Sequence, residues 1–113
     1  MAKDAYLSLP NKYRKSEQIS LSEILYLEAN LNYTLIHLKN GEVKLSAQTL
    51  LFLINTYLDE SFIRIHRAFC VNKEYIQGYD QKPYPKFLWI EGGIKLSISR
   101  RQMKHVKKIE LSI

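Results

Sequence analysis

Residues Phe62 to Ile76 read FIRIHRAFCVNKEYI, and this stretch decides how the chain folds. Phe62, Ile63 and Ile65 are apolar around Arg64, the alternation of a half-buried strand. A second apolar patch, Phe69-Cys70-Val71, closes at Asn72-Lys73. Between the two lies His66-Arg67. Two strands flanking a polar break predict a β-rich fold that holds a cation at a fixed place. Such a cation is either an ion-pair partner within the fold or a probe aimed at a ligand.

On the N-terminal side, Ile19, Leu21, Leu25 and Leu27 share one parity and Ile24 breaks it. That pattern predicts a short strand, a turn around Leu21–Glu23 and a strand over Ile24–Glu28. Asn30-Leu31-Asn32 reads as a polar loop. Tyr33–Leu38 is a strand, Asn40-Gly41 a hairpin signal, and Val43 and Leu45 the return. Ser46 is the expected cap of a helix over Ala47–Leu58, with Leu50, Leu51, Leu53, Ile54, Tyr57 and Leu58 at helical spacing against the sheet. Ahead of these, Ala5–Leu9 reads as an edge strand stopped by Pro10-Asn11. Lys12–Glu17 reads as exposed.

On the C-terminal side, Tyr75–Tyr79 reads as a strand and Gln81–Pro85 as a loop, since both prolines exclude regular pairing. Phe87–Glu91 and Ile94–Ile98 are strands joined by Gly92-Gly93. Ser99 is the expected cap of a helix over Arg100–Ile109, with Met103, Val106 and Ile109 inward. The fold class is therefore mostly β with two short helices.

A chain of 113 residues reads as one domain, long enough to build a core without disulfides or a structural metal. Its single cysteine, Cys70, permits no internal disulfide and reads as a small buried thiol. No signal peptide is evident, and no apolar run approaches the roughly 20 residues that span a bilayer. A cytoplasmic protein with no membrane partner is expected. The four glycines form no phosphate loop, and His37, His66 and His105 are scattered. No catalytic residues, no metal ligands and no cofactor are expected, so the chain does not read as an enzyme.

Charge carries more. The net charge is +6, and from Ile94 onward six Lys and Arg stand against Glu110 alone, a local net of +5. Such a concentration favours polyanions, nucleic acid first and an anionic membrane surface second. Arg67 offers a forked guanidinium suited to guanine O6 and N7, and Asn32 an amide suited to adenine. Arg100 and Arg101 stand where a strand gives way to a basic helix, whose first N–H groups suit a phosphate. Singly each has a plainer reading, since a surface Arg is usually only solvated and a loop Asn usually only forms a turn. Among the eight tyrosines, Tyr26, Tyr57 and Tyr75 read as core. Tyr33, Tyr79 and Tyr84 read as exposed, thin support for a base-stacking platform.

Three blocks resemble the LytTR DNA-binding domain of bacterial response regulators. They are Ile24–Ala29 with Asn32-Tyr33, Phe62–Arg67 with Val71-Asn72 and Ile76, and Ile94–Arg101. Order and spacing agree from Ser16 to Ile109, and the middle block is the most specific. The resemblance implies several small, mainly antiparallel sheets that present DNA-reading side chains on loops. It implies double-stranded DNA as partner, bound at imperfect direct repeats in promoters, with loops in successive major grooves and a bent duplex. The positions it marks as base-reading are Asn32, Arg67 and Arg100. Tyr33, Arg101 and Lys104 are marked as backbone contacts, and His66 and Asn72 as loop-orienting residues.

Residues 1–15 then form an N-terminal extension and 16–113 the domain. Most family members carry a receiver or membrane domain ahead of this one, so a stand-alone regulator or an excised domain of a longer protein is expected. A receiver domain and further copies on tandem repeats are the other partners implied. Ala68 and Cys70 depart from the usual pattern, which touches packing or one phosphate contact. The alternative reading is a protein-interaction module of the same fold that antagonises a paralogous regulator.

Overall fold

A computed structural model of the chain describes residues 5–10, 16–81 and 83–109. The turn residue Asn11, the start of the Lys12–Glu17 stretch, Lys82 of the proline loop and Glu110 lie outside the described residues.

Among the described residues ten strands form three antiparallel sheets. Strand β1 (Tyr6–Pro10) pairs with β2 (Ser16–Ser20). A five-stranded sheet follows, from β3 (Ile24–Asn30), β4 (Tyr33–Leu38), β5 (Val43–Ser46), β6 (Phe62–His66) and β7 (Phe69–Asn72), in the order β5-β4-β3-β7-β6. Strands β8 (Ile76–Tyr79), β9 (Phe87–Ile90) and β10 (Ile94–Ser97) make the third, with β9 central. Helix α1 (Leu50–Tyr57) precedes β6, and α2 (Met103–Lys107) closes the described chain.

The five-stranded sheet has a core on each face. On one side Ile24, Leu27, Ile36 and Cys70 pack with Leu7 and Leu9 of β1 and with Leu50 and Leu53 of α1. On the other, Leu25, Tyr26, Ile65 and Val71 pack with Leu88, Ile90, Leu96 and Val106. Each fully buried Leu or Ile contributes roughly 1.5–3 kcal/mol. Strand β3 feeds both cores through a bulge. Ile24 faces Leu38 and Tyr26 faces His37, so two residues of β3 oppose one of β4. This extra residue sends both Leu25 and Tyr26 to the second core and explains why Ile24 breaks the parity.

Three local expectations change. Helix α1 starts one turn later than predicted, with Thr49 as its cap: its hydroxyl accepts from Phe52 N–H (3.2 Å). Ser46 is held in the ladder opposite Thr34 and buried, its hydroxyl accepting from Gln48 N–H (3.2 Å). Leu51 points to solvent, and Phe52 beside it is also exposed. The Asn-Gly hairpin loop has three residues, because Leu38 N–H donates to the Glu42 carbonyl (2.9 Å) and Gly41 sits at φ +93°. The C-terminal helix is shortened to α2, preceded by a 3₁₀ turn over Arg100–Gln102 without a side-chain cap from Ser99. Ser99 N–H donates to the Ile65 carbonyl and Gln102 N–H to the Ser99 carbonyl, so the backbone there is committed to a tight turn.

Candidate nucleic-acid interface

Antiparallel pairing brings two hairpin turns to one end of the five-stranded sheet. Glu28 of β3 faces Phe69 of β7, so the turn after β3 lies beside the turn before β7. Ala29 N–H donates to the Ala68 carbonyl (2.8 Å) and ties the two together. A third segment joins them through the Ser99 to Ile65 bond (2.8 Å). Asn32, Arg67 and Arg100 thus belong to three turns at one edge of the fold, and all three are exposed.

The turn between β6 and β7 is the best braced. Arg64 faces Cys70 and His66 faces Phe69, so a bulge falls at Ile65, whose side chain is fully buried. The Arg64 guanidinium donates to the Arg67 carbonyl (2.7 Å) and, through Nε, to the His66 carbonyl (3.4 Å). His66 Nδ1 accepts from Ala68 N–H (3.0 Å), which requires that nitrogen to be unprotonated. The His66 ring also packs on Phe69 (5.4 Å between centroids). Phe69 meets Tyr26 edge-on (6.3 Å), and Tyr26 stacks on His37 (4.0 Å, 5° between planes). A row of four rings therefore crosses from β4 to the turn. His37 Nε2 lies 2.9 Å from Glu28 Oε1, and burial, with the Glu28 charge adding, raises the Tyr26 pKa.

Arg64, His66, Arg67, Ser99, Arg101 and Gln102 line an open cleft of about 490 Å³. Three guanidiniums thus share one concavity, and among the described residues no carboxylate forms an ion pair with Arg64, Arg67, Arg100, Arg101 or Lys104. Unpaired cations around a concave surface focus a positive potential on it. Arg100 is exposed but outside the cleft lining, whereas Arg101 is part of it. Lys104 is exposed on α2. Because α2 has five residues, the expected helix start for a phosphate is replaced by the 3₁₀ turn and its side chains.

The turn between β3 and β4 is minimal. Asn30 pairs with Tyr33, leaving Leu31-Asn32 as the loop, with Leu31 at φ +57° and 91% exposed. Tyr33 is 48% exposed at the start of β4, whereas Thr34 is buried and donates to the Gln48 carbonyl (2.8 Å). Tyr79, read as exposed, is half-buried, its hydroxyl near the Lys107 and Ile109 carbonyls.

Asn72 sits elsewhere. It pairs with Phe62 at the far end of the β6–β7 hairpin and is 2% exposed. Its amide donates to the Leu21 (3.4 Å) and Ile24 (3.1 Å) carbonyls and accepts from Glu74 N–H (3.0 Å). These bonds hold the 3₁₀ turns at Leu21–Glu23 and Lys73–Tyr75, not the His66-Arg67 turn. Arg64 is the residue that sequence reasoning missed; its place three residues before Arg67 was the available signal. Burial pushes the Cys70 thiol up to about 12, so it stays protonated. Among the described residues no group of three or more His, Cys, Asp or Glu is placed to hold a metal.

Residues 14–110 match the model of the LytTr DNA-binding domain. The chain belongs to the LytTr DNA-binding domain family. A relative in Pseudomonas aeruginosa, the positive alginate biosynthesis regulatory protein, is 31% identical over 96 residues, 82% of this chain. The chain spans 38% of that relative's length. A solved LytTr DNA-binding domain of a protein described as a methyl-accepting/DNA response regulator from Bacillus cereus superimposes with a TM-score of 0.74. It is 21% identical and covers 94% of this chain and 96% of its own, a likeness of fold. The three-sheet arrangement is thus that of a LytTr domain, and no described helix is long and apolar enough to cross a membrane.

Proposed function

We propose that this LytTr domain reads double-stranded DNA by sequence to control transcription, with its three turns entering successive major grooves at direct-repeat promoter sites. The observation that carries the reading is the shared edge, where Arg67 and Arg101 line one cleft beside the Leu31-Asn32 turn. Arg67 has the fork geometry for guanine, and its backbone is held by Arg64, so the side chain starts from a fixed base. Asn32 and Arg100 are the other base readers, with Tyr33, Arg101 and Lys104 on the phosphates. His66 orients the middle turn through Ala68 N–H. Asn72 acts by holding the hairpin's far end. A receiver domain elsewhere in a longer chain, and further copies on tandem repeats, are the partners this reading implies.

Selection from random duplex DNA tests the activity and reveals the site together. One repeat sequence is expected to be enriched, with affinity falling steeply as salt rises. Arg67→Ala should lose roughly 1–3 kcal/mol and relax one base position, while Lys104→Ala weakens all sequences alike. Equal losses for Arg67→Ala on specific and random duplex would remove Arg67 as a base reader. Enrichment of no sequence would favour the protein-interaction module instead.

A further inference from the structure

Leu31 is the most exposed large apolar side chain among the described residues, at 91%. It is also the one non-glycine there with positive φ, at +57°. A left-handed backbone is unfavourable for a bulky side chain, costless for Gly and tolerated by Asn. The residues on both sides, Asn30 and Asn32, are Asn, yet the position that favours Asn carries Leu. Packing does not explain the choice, because the side chain is almost wholly in solvent. The fold carries backbone strain and an apolar group at the tip of a turn and gains no burial from either, a pairing that points to a contact made outside the chain.

The chemistry of that contact follows from the neighbour. Asn32 offers the amide suited to adenine N6 and N7, and the apolar group that the major groove displays beside it is the thymine C5-methyl. We propose that Leu31 reads a thymine methyl next to the adenine that Asn32 pairs with, so that the β3–β4 turn selects an A·T-containing step. This rests on the duplex-reading assignment above and adds a fourth, apolar reader to it. It also accounts for the tolerance of strain: the turn projects Leu31 and Asn32 as adjacent probes from the strand ends Asn30 and Tyr33.

The test uses the duplex recovered by selection, with each thymine replaced in turn by deoxyuridine, which deletes the methyl and leaves base pairing intact. Wild-type protein should lose about fourfold in affinity at one such position, the worth of one methyl removed from water. Leu31→Asn should abolish that penalty, keep the penalties at other positions, and melt no lower than wild type because the strain is reduced. The inference is overturned if no thymine is sensitive to loss of its methyl or if Leu31→Asn retains the penalty. It is overturned too if Leu31→Asn melts several degrees lower, which would make Leu31 a structural residue. A selection that enriches nothing would overturn the duplex reading itself, an outcome separate from a site whose methyl groups do not matter.

Discussion

The two ends of the β6–β7 hairpin do opposite things with polar side chains. At the open end Asn72 is 2% exposed and spends its amide on three backbone groups from other elements. At the turn end Arg67 is exposed, and its neighbours Arg64 and His66 brace the backbone while leaving the Arg67 guanidinium unpaired by any described carboxylate. One short motif thus supplies both a buried clamp and an offered cation. The difference lies in where hydrogen-bonding capacity goes. Consumed capacity gives stability, and capacity left over on a preorganised backbone gives recognition at low ordering cost.

The comparison breaks most visibly at the clamp. Asn72→Ala leaves the buried Ile24 carbonyl and the part-buried Glu74 N–H without this partner, while the Leu21 carbonyl keeps its bond from Ile24 N–H. Each orphaned group costs about 1–3 kcal/mol, so a loss of roughly 3 kcal/mol in unfolding free energy is expected by denaturant titration. DNA affinity of the fraction still folded should be unchanged. A variant that kept its stability but lost sequence preference would return Asn72 to a direct role in orienting the reading turn.

The turn end should respond in the reverse way. Arg64→Lys keeps the charge but cannot hold the His66 and Arg67 carbonyls with one planar fork. Affinity for the selected duplex should fall about tenfold, or roughly 1.4 kcal/mol, while random-duplex affinity and salt slope stay near wild type. Unfolding free energy should move by less than about 0.5 kcal/mol, as for most partly exposed sites. Equal losses on both duplexes would make Arg64 a phosphate contact instead of a brace.

Much of this fold is legible because its strands and turns write their period locally. The alternation in Tyr33–Leu38, the apolar patches around His66-Arg67 and the glycines at Gly41 and Gly92-Gly93 all map onto β4, β6, β7 and real turns. Bulges are not legible, since an extra residue at Leu25 or Ile65 looks like a broken pattern until the partner strand is known. The later start of α1 was hidden for a similar reason: Ser46 is a good cap by type but is held opposite Thr34. At the site, the positions came through the family motif, whereas the division of labour did not. Nothing in the order of residues shows that Asn72 bonds a turn some fifty positions earlier, or that Arg64 folds over the carbonyls beside it.

The smallest expected effect separates the middle turn from the third. The middle turn is braced by the Arg64 guanidinium, whereas the segment leading into Arg100 depends on a carboxylate. Asp80 accepts from Lys86 N–H and Phe87 N–H (both 2.8 Å), and the Lys86 carbonyl accepts from Ile98 N–H (2.8 Å), just ahead of Ser99. The Phe87 N–H bond, then the Lys86 one, holds the Asp80 carboxyl below its ordinary pKa. A lowered carboxylate pKa stabilises the fold fully above the unfolded value near pH 4 and less as pH falls through the folded value. Asp80→Asn should therefore cost at most about 1 kcal/mol at pH 7, a figure kept low by solvent around the group. The gap to wild type should narrow as pH drops below about 4, because the wild-type carboxyl then loses its charge as well. In hydrogen exchange the Ile98 and Gln102 amides should lose protection in acid before the Ala29 amide, whose N–H donates to the Ala68 carbonyl at the middle turn. Simultaneous loss at all three would show that the turns are held by one common support instead of two.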